Sequence, residues 1–383
     1  MINITRDSLS KLFSYCKGQK WTGYDPFDAL NSPFLKKFSL DRKFLRIACI
    51  QLLKRLAFNV RPILRMKKGY NPKGIGLFLN GYANLYKLEK KPEYLEKIYF
   101  FLGLLFDLKS KGYSGNCWGY NFDWQSRAFY LPKFTPTIVN SSFIGHALLD
   151  VYRNTNIETA LEMAISIKDF ILNDLNRKVE NSDVCFSYSP VDKSFVHNAN
   201  LLGASLLIRL DKYVNDTKLR DTAVSALAYS MKYQRDDGSW YYAETDFQKW
   251  IDSFHTGFNL QSIEYFLKAG FADKYENEFN KGVDYYRNNF FLKDGTPKYY
   301  HNRLYPLDIH SAAQAVIFFS QRGNEYKELA EKIIVWMITN MQDEKGYFYY
   351  QKRRLFKIKI PYMRWSQAWA FLALSTYLLS HGK

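Results

Sequence analysis

Cysteine is scarce. The four residues, Cys16, Cys49, Cys117 and Cys185, are scattered through 383 positions with no CxxC pair. That spacing supplies neither a disulfide framework nor a zinc site, and it reads as reduced thiols with no metal. Histidine is nearly as rare, at six residues. No GxxxxGK[ST] and no strand-borne GxGxxG occurs, so no nucleotide cofactor, and no cofactor of any kind, is expected. No apolar run reaches the roughly 18 residues of a membrane-spanning helix. Ile98–Leu108 is apolar but short, with charges close on both sides. The opening Met1-Ile-Asn-Ile-Thr-Arg-Asp carries an acid and no apolar core. No secretory signal is therefore expected, and the reading is a cytoplasmic protein, with the inner face of a membrane as an alternative site. Acidic residues are also in deficit, 37 against 54 lysines and arginines, for a net +17. A surface so charged favours a polyanion, an anionic glycan or a lipid headgroup.

What is abundant is aromatic: 30 Tyr, 30 Phe and 8 Trp, a content that excludes wholesale disorder. Six segments share a small or polar start followed by an apolar helix rich in Gly, Ala and Ser. They begin at Asn71, Asn140, His197, His255, His310 and Arg364. Small residues on such helices permit close packing on several sides, which marks an interior layer. Between them run six amphipathic segments, near 42–56, 92–108, 157–175, 218–233, 274–290 and 324–341. Their apolar residues recur at i, i+3, i+4 and i+7, the pattern of a helix with one wet face. Six alternations of outer and inner helix predict an all-α fold, an (α/α)6 toroid or six-hairpin barrel; an open α-solenoid is the simpler competing reading. Residues 1–40 lack the period and read as an N-terminal extension packed on the outside, with residues 41–383 as a single toroid domain.

A second repeat lies in the connections. Gln234-RDDGSWYY, Lys293-DGTPKYY and Gln342-DEKGYFYY each pair a turn signal with an aromatic run. They predict short hairpin-like aromatic loops gathered at one mouth of the ring. Gly119-YNFDWQSRAFYLP is the longer counterpart of an earlier unit.

The Gln-x-x-x-Gly-x-Trp piece at Gln234–Trp240 is similar to the repeat of squalene-cyclase and prenyltransferase toroids. The DxDD motif of terpenoid cyclases is absent. The hairpin plan also resembles six-hairpin glycosidases, polysaccharide lyases and uronyl epimerases. The stretches from Asn71 and from Trp118 through Tyr152 look more closely like a family encoded among bacterial and archaeal surface-polysaccharide biosynthesis proteins. That resemblance covers most of the chain from about residue 55. It implies a role in making or trimming a capsule, exopolysaccharide or lipopolysaccharide glycan, as a glycan-binding protein or as a hydrolase, lyase or epimerase, and carries no residue-level mechanism. A prenyltransferase-like toroid binding an isoprenoid is the alternative, as is a non-catalytic scaffold for membrane-bound glycosyltransferases.

In a ring of this kind every inner helix aims its free N–H groups and positive dipole end at the same mouth. Polar residues at those starts are the candidates for chemistry. His197, His255 and His310 occupy equivalent places in three successive units, with Asp252 and Asp308 just ahead of the last two. A histidine oriented by a carboxylate can take or give a proton; the competing reading makes these residues helix caps and core groups. Asp123 joins them as a loop carboxylate, with Glu244 and Asp246 as further candidates. For substrate binding the expected residues are Arg127 and Arg364 as anion ligands, Trp124, Trp240, Tyr242, Tyr300 and Tyr362 as stacking walls, and Gln367 and Asn140 as polar contacts. The expected partner is an acidic oligo- or polysaccharide or a lipid-linked glycan, and not a nucleic acid, since no recognised module is present. Two basic runs, Lys54-RLAFNVRPILRMKK and Gln351-KRRLFKIKIPYMR, suggest peripheral contact with a membrane.

Overall fold

The computed structural model describes residues 1–382. Helix α1 (Ile2–Gly18) is followed by a long connection that holds α2 (Pro33–Phe38) and α3 (Lys43–Arg55). Then come α4 (Pro72–Glu89) and α5 (Pro92–Asp107). A ribbon of β1 (Trp124–Gln125) and β2 (Tyr130–Leu131) leads into α6 (Ile138–Thr155). Helix α7 (Glu158–Ile165) runs through α8 (Ile167–Asp169) toward the hairpin of β3 (Arg177–Glu180) and β4 (Asp183–Phe186). The remaining helices are α9 (His197–Val214), α10 (Thr217–Met231), α11 (Ser253–Phe266), α12 (Ala272–Phe290), α13 (Ile309–Ser320) and α14 (Gly323–Met341). Strands β5 (Leu307–Asp308), β6 (Gln351–Lys352) and β7 (Lys357–Ile358) form one small antiparallel sheet. A π-helical turn, Met363–Ala368, runs into α15 (Trp369–His381).

Helices α4, α6, α9, α11, α13 and α15 each pack on the next, and α15 returns to α4. The inner layer is therefore a closed ring, not an open solenoid. Its small residues explain the tightness: a Cβ on Gly81 would fall 2.5 Å from the Phe371 ring, and one on Gly145 would fall 2.5 Å from Leu206. The outer layer consists of α5, α7, α10, α12 and α14, each against the inner helix before it. In α14 the buried positions Ala330, Ile333, Ile334, Met337 and Met341 give the one-sided apolar stripe that the sequence predicts.

The sixth outer helix differs from expectation. The sequence pattern predicts an outer helix at 42–56, but α3 packs on the turn Asp28–Asn31 and on β1 instead. Helix α1 takes the outer place against α15. The repeated glycine turns show why. Gly238 (φ 87°), Gly295 (φ 84°) and Gly346 (φ 92°) adopt a left-handed conformation that glycine reaches without strain. Each presses against the backbone of a following outer helix, at Lys281, Lys332 and Lys11 respectively. Gln234 Nε2 donates to Gly238 O (3.0 Å) and to Glu278 O (2.8 Å), and Gln342 Nε2 donates equivalently to Gly346 O and Ser8 O (3.0 Å each). Residues 19–71 are thus the longest of the outer-to-inner connections, and α2 and α3 cap the mouth where all those connections meet.

Candidate active site

Each inner helix begins behind an extended N-cap residue: Asn71, Thr137, Val196, Asp252, Asp308 and Tyr362. The second helical residue after the cap is Lys73, Val139, Asn198, Phe254, His310 or Arg364. All six line one cavity of about 350 Å³ at the mouth. This position therefore faces the axis in every unit. Consecutive residues turn by about 100° around a helix, so a shift of one place redirects a side chain.

That rule separates the three histidines. His310 is a second residue and His255 a third, and both line the cavity. His197 is a first residue, and its ring turns outward. It approaches Ser230 Oγ (3.5 Å), the Tyr233 ring (5.3 Å between centroids) and Glu244 Oε1 (3.0 Å from Nε2). The expectation that three histidines share one cavity is corrected to two.

His255 has the geometry of a base. Its Nδ1 lies 2.7 Å from Asp252 Oδ2, and the same carboxylate accepts from Trp250 Nε1 (3.0 Å) and from the His255 backbone N–H (3.0 Å). A carboxylate at Nδ1 fixes the proton there and leaves Nε2 as the free lone pair. Nε2 has no partner among the described residues, and the ring is part-exposed toward the cavity. Tyr242 packs against His255 (4.7 Å) and stacks on Trp250 (4.5 Å, 12°), building an aromatic wall beside it. His310 sits lower, stacked between Phe254 (4.5 Å) and Trp369 (4.3 Å), with neither ring nitrogen hydrogen-bonded to a described residue. Burial, together with Lys73 and Arg364 nearby, holds its pKa far below that of ordinary histidine.

No sequence motif points to the floor of the cavity. Lys73 is buried and makes no hydrogen bond or ion pair with a described residue. Its ammonium lies over the rings of Phe143 (4.1 Å), Trp369 (5.4 Å) and Phe258 (5.5 Å). Burial, with Arg364 adding repulsion, pushes its pKa well below the lysine range. These three rings contact one another at 4.9–5.4 Å and close the barrel axis. A second cavity of about 440 Å³ lies beyond them, around His146, Asp150 and Arg209. Tyr120 and Tyr188, whose hydroxyls lie 3.2 Å apart, also line the mouth unannounced by any motif.

The other expected residues divide. Arg127 and Trp124 line the mouth, and Arg127 is exposed there without an ion pair to a described residue. Tyr300 lies outside it, in an adjoining groove with Arg127 and Trp250. Arg364 reaches the cavity but is committed: Nε and Nη2 donate to the two oxygens of buried Asp25 at 2.6 and 2.8 Å. Asp123 turns away to Lys36 Nζ (2.7 Å) and the Lys133 N–H (2.8 Å). Burial alone would raise its pKa, but those two donors outweigh it and hold it low. Asp308 caps α13 and accepts from Trp365 Nε1 (3.0 Å) and Gln351 Nε2 (2.5 Å). Trp240 is buried with Nε1 on Ser230 O (3.0 Å), and Gln367 is buried and clamps both backbone groups of Phe348 (2.8 Å each). Tyr362 is buried under Arg61 (4.7 Å), and Asn140 is buried with its amide unpaired among the described residues. The last four lie outside the mouth lining, as do Asp123 and Asp308. The result is a mouth with no aspartate or glutamate among its described lining residues.

No family model and no curated protein matches the chain. Solved structures do match. A cellobiose 2-epimerase from Bacillus thermoamylovorans superposes with a TM-score of 0.61 at 15% identity, covering 80% of this chain and 87% of the other. The chain is an (α/α)6 toroid. A family 76 glycoside hydrolase, an α-mannanase from Bacteroides thetaiotaomicron, gives a TM-score of 0.62 at 14% identity over 82% and 87% of the two chains. A polysaccharide lyase gives 0.55 at 14% identity over 80% and 89%. At such identities the likeness establishes the toroid and leaves the chemistry to the site. The closer sequence resemblance to biosynthesis proteins gains no support from a family model.

Proposed function

We propose that this toroid is a carbohydrate-active enzyme that moves a proton at a sugar carbon, the chemistry of an epimerase or a lyase. The observation that carries this reading is a carboxylate-oriented histidine, His255, opening onto a cavity without a lining carboxylate. Glycoside hydrolysis ordinarily uses two carboxyl groups about 5–10 Å apart across the scissile bond, and the mouth supplies neither. His255 Nε2 is placed to take a proton from a carbon next to a carbonyl or carboxylate, with Asp252 stabilising the imidazolium. The electron pair moves onto the adjacent oxygen as an enolate, and the Lys73 amino group at the cavity floor is placed to donate hydrogen bonds to it. Delivery of a proton from water to the opposite face, with the proton on His255 passing to solvent, gives the epimer; expulsion of a β-alkoxide, which takes up the proton held by His255, gives the unsaturated sugar of a lyase. The Tyr242–Trp250 stack, Trp124 and Trp365 provide walls for sugar rings.

Lys73, Arg55 and Arg127 face the cavity with no lining acid to oppose them. That favours a substrate bearing a carboxylate or phosphate, such as a uronate-containing or lipid-linked glycan. A setting in surface-polysaccharide biosynthesis rests on the sequence resemblance. The isoprenoid alternative needs an acid aimed into an apolar pocket, and the mouth presents none.

The test is turnover of uronate-containing and of neutral oligosaccharides in deuterated water. The expected result is either one deuterium on carbon in the recovered sugar, for an epimerase, or an unsaturated sugar at the new chain end, for a lyase. His255→Ala is expected to abolish it, and Asp252→Asn to slow it by about 10²–10⁴. New reducing ends with neither carbon-bound deuterium nor an unsaturated sugar would make the protein a hydrolase and overturn the assignment of His255.

A further inference from the structure

The two basic runs of the sequence meet in the fold. Lys54 lies close enough to Arg353 and Arg55 for the three cations to repel one another, and Arg61 sits 4.7 Å from the Tyr362 ring. Residues 33–68 hold eleven lysines and arginines against one acid, Asp41; residues 351–364 hold six against none. Sixteen of the chain's net +17 charges thus come from these two segments, with Arg61 and Arg364 held inside against Asp28 and Asp25.

The same surface is apolar where it should be wet. Helix α3 buries Cys49, Ile50 and Leu53, yet turns Phe44 (77% exposed) and Leu52 (67%) to the outside. The following loop exposes Phe58 (66%) and Ile63 (80%). Arg61 fixes that loop from beneath, with Nε on Asp28 Oδ1 (2.8 Å) and Nη2 on Asp25 O (2.9 Å). The tip of the β6–β7 hairpin exposes Leu355 (91%). Single exposed apolar side chains are ordinary, but a group of them ringed by cations marks an interaction surface.

We propose that this face docks on an anionic lipid bilayer, with Phe44, Leu52, Phe58, Ile63 and Leu355 entering the headgroup region while the surrounding lysines and arginines meet lipid phosphates. Two observations commit the surface to lipid. Apolar tips and cations are interleaved, the combination that interfacial binding uses and that binding to a purely ionic polymer does not need. A second copy fits poorly, because a two-fold interface would set this patch against itself, cation against cation. The inner side of α3 roofs the mouth through Ile47, Ile50 and Gln51, so the docking face and the cavity are two sides of one helix.

The experiment is co-sedimentation of the full chain with vesicles of phosphatidylcholine alone, and of phosphatidylcholine containing about one-third phosphatidylglycerol, at low and high salt. The wild type is expected to partition onto the anionic vesicles alone and to be released by salt. Leu52→Ser with Ile63→Ser and Leu355→Ser should lose at least about tenfold in partitioning, with an unchanged far-ultraviolet spectrum and unchanged retention on heparin. Lys43→Gln with Arg354→Gln is a second variant that leaves the apolar tips intact and should weaken both vesicle and heparin binding. Equal binding to both vesicle types, or to neither, overturns the proposal. So does full retention by the apolar variant. A wild-type dimer in light scattering that the apolar variant abolishes would assign the face to a second copy instead.

Discussion

A buried lysine that faces three aromatic rings and no carboxylate is costly to the fold. Cation–π attraction to Phe143, Phe258 and Trp369 returns about 2 kcal/mol when desolvated, less than the several kcal/mol of burying an ammonium. The depressed pKa of Lys73 is the same imbalance seen from the proton's side. Such an arrangement persists where it serves a ligand rather than stability. Lys73→Met, close in volume, is therefore expected to leave the melting temperature unchanged or raise it, by about 1 kcal/mol or more in stability, while removing turnover. A marked fall in melting temperature with activity intact would make the lysine a structural pillar. Lys73 was legible in principle: aligning the six N-caps puts it in the column of His310 and Arg364. Alignment of the segment starts by residue type puts the first-position His197 in register with second- and third-position residues. The partners of Arg364 and Asp123 lie at Asp25 and Lys36, far away in the chain, and no local pattern announces them.

At the scale of helices, the ring was legible because each inner segment repeats the same small-residue signature and each outer one the same stripe. The closing contact was not, because it joins the beginning of the chain to its end. Its signature was nevertheless present, since Gln342 and Gly346 repeat the pattern of Gln234 and Gly238, a turn that docks on the next outer helix. After α14 the next outer helix is α1. At Gly346 a Cβ would stand 2.3 Å from Lys11 O at a φ of 92°. Gly346→Ala must therefore move α1 or strain the turn, at about 1–3 kcal/mol. Gly103, with nothing within 4 Å, is the control. In thermal melts the first variant should be clearly destabilised; Gly103→Ala should be neutral or slightly stabilising through helix propensity. Equal behaviour of the two would mean that the turn does not hold α1 to the ring.

Over the whole molecule, charge sets both stability and reach. Two buried histidines resist protonation in the fold. Burial, reinforced by Arg209, holds His146 down at about 3, and His310 shifts the same way. The unfolded chain protonates both below about 6.5, so it binds more protons than the fold and stability falls as pH drops from 6.5 toward 3. Each contributes up to about 1.4 kcal/mol per pH unit in that window. Asp28, which burial pushes up to about 6, works in the opposite direction below that pH. Urea midpoints between pH 6.5 and 5 should fall, and His146→Gln should flatten the slope; an unchanged slope would show that His146 is not held neutral. At the mouth, cations act without lining acids, and their field extends about one Debye length, roughly 10 Å at 0.1 M salt. The kcat/KM for an anionic glycan should therefore decline with ionic strength while that for a neutral analogue stays level. Arg127→Ala should remove part of the decline, because Arg127 is exposed at the cavity rim and makes no ion pair with a described residue. Arg364→Ala should leave the salt slope as it is and lower stability by about 3–5 kcal/mol, because it strands Asp25 as a buried, uncompensated charge. The opposite pattern, a flattened slope with an unchanged melting temperature, would return Arg364 to the substrate and release Asp25 from its role in holding the connection over the mouth.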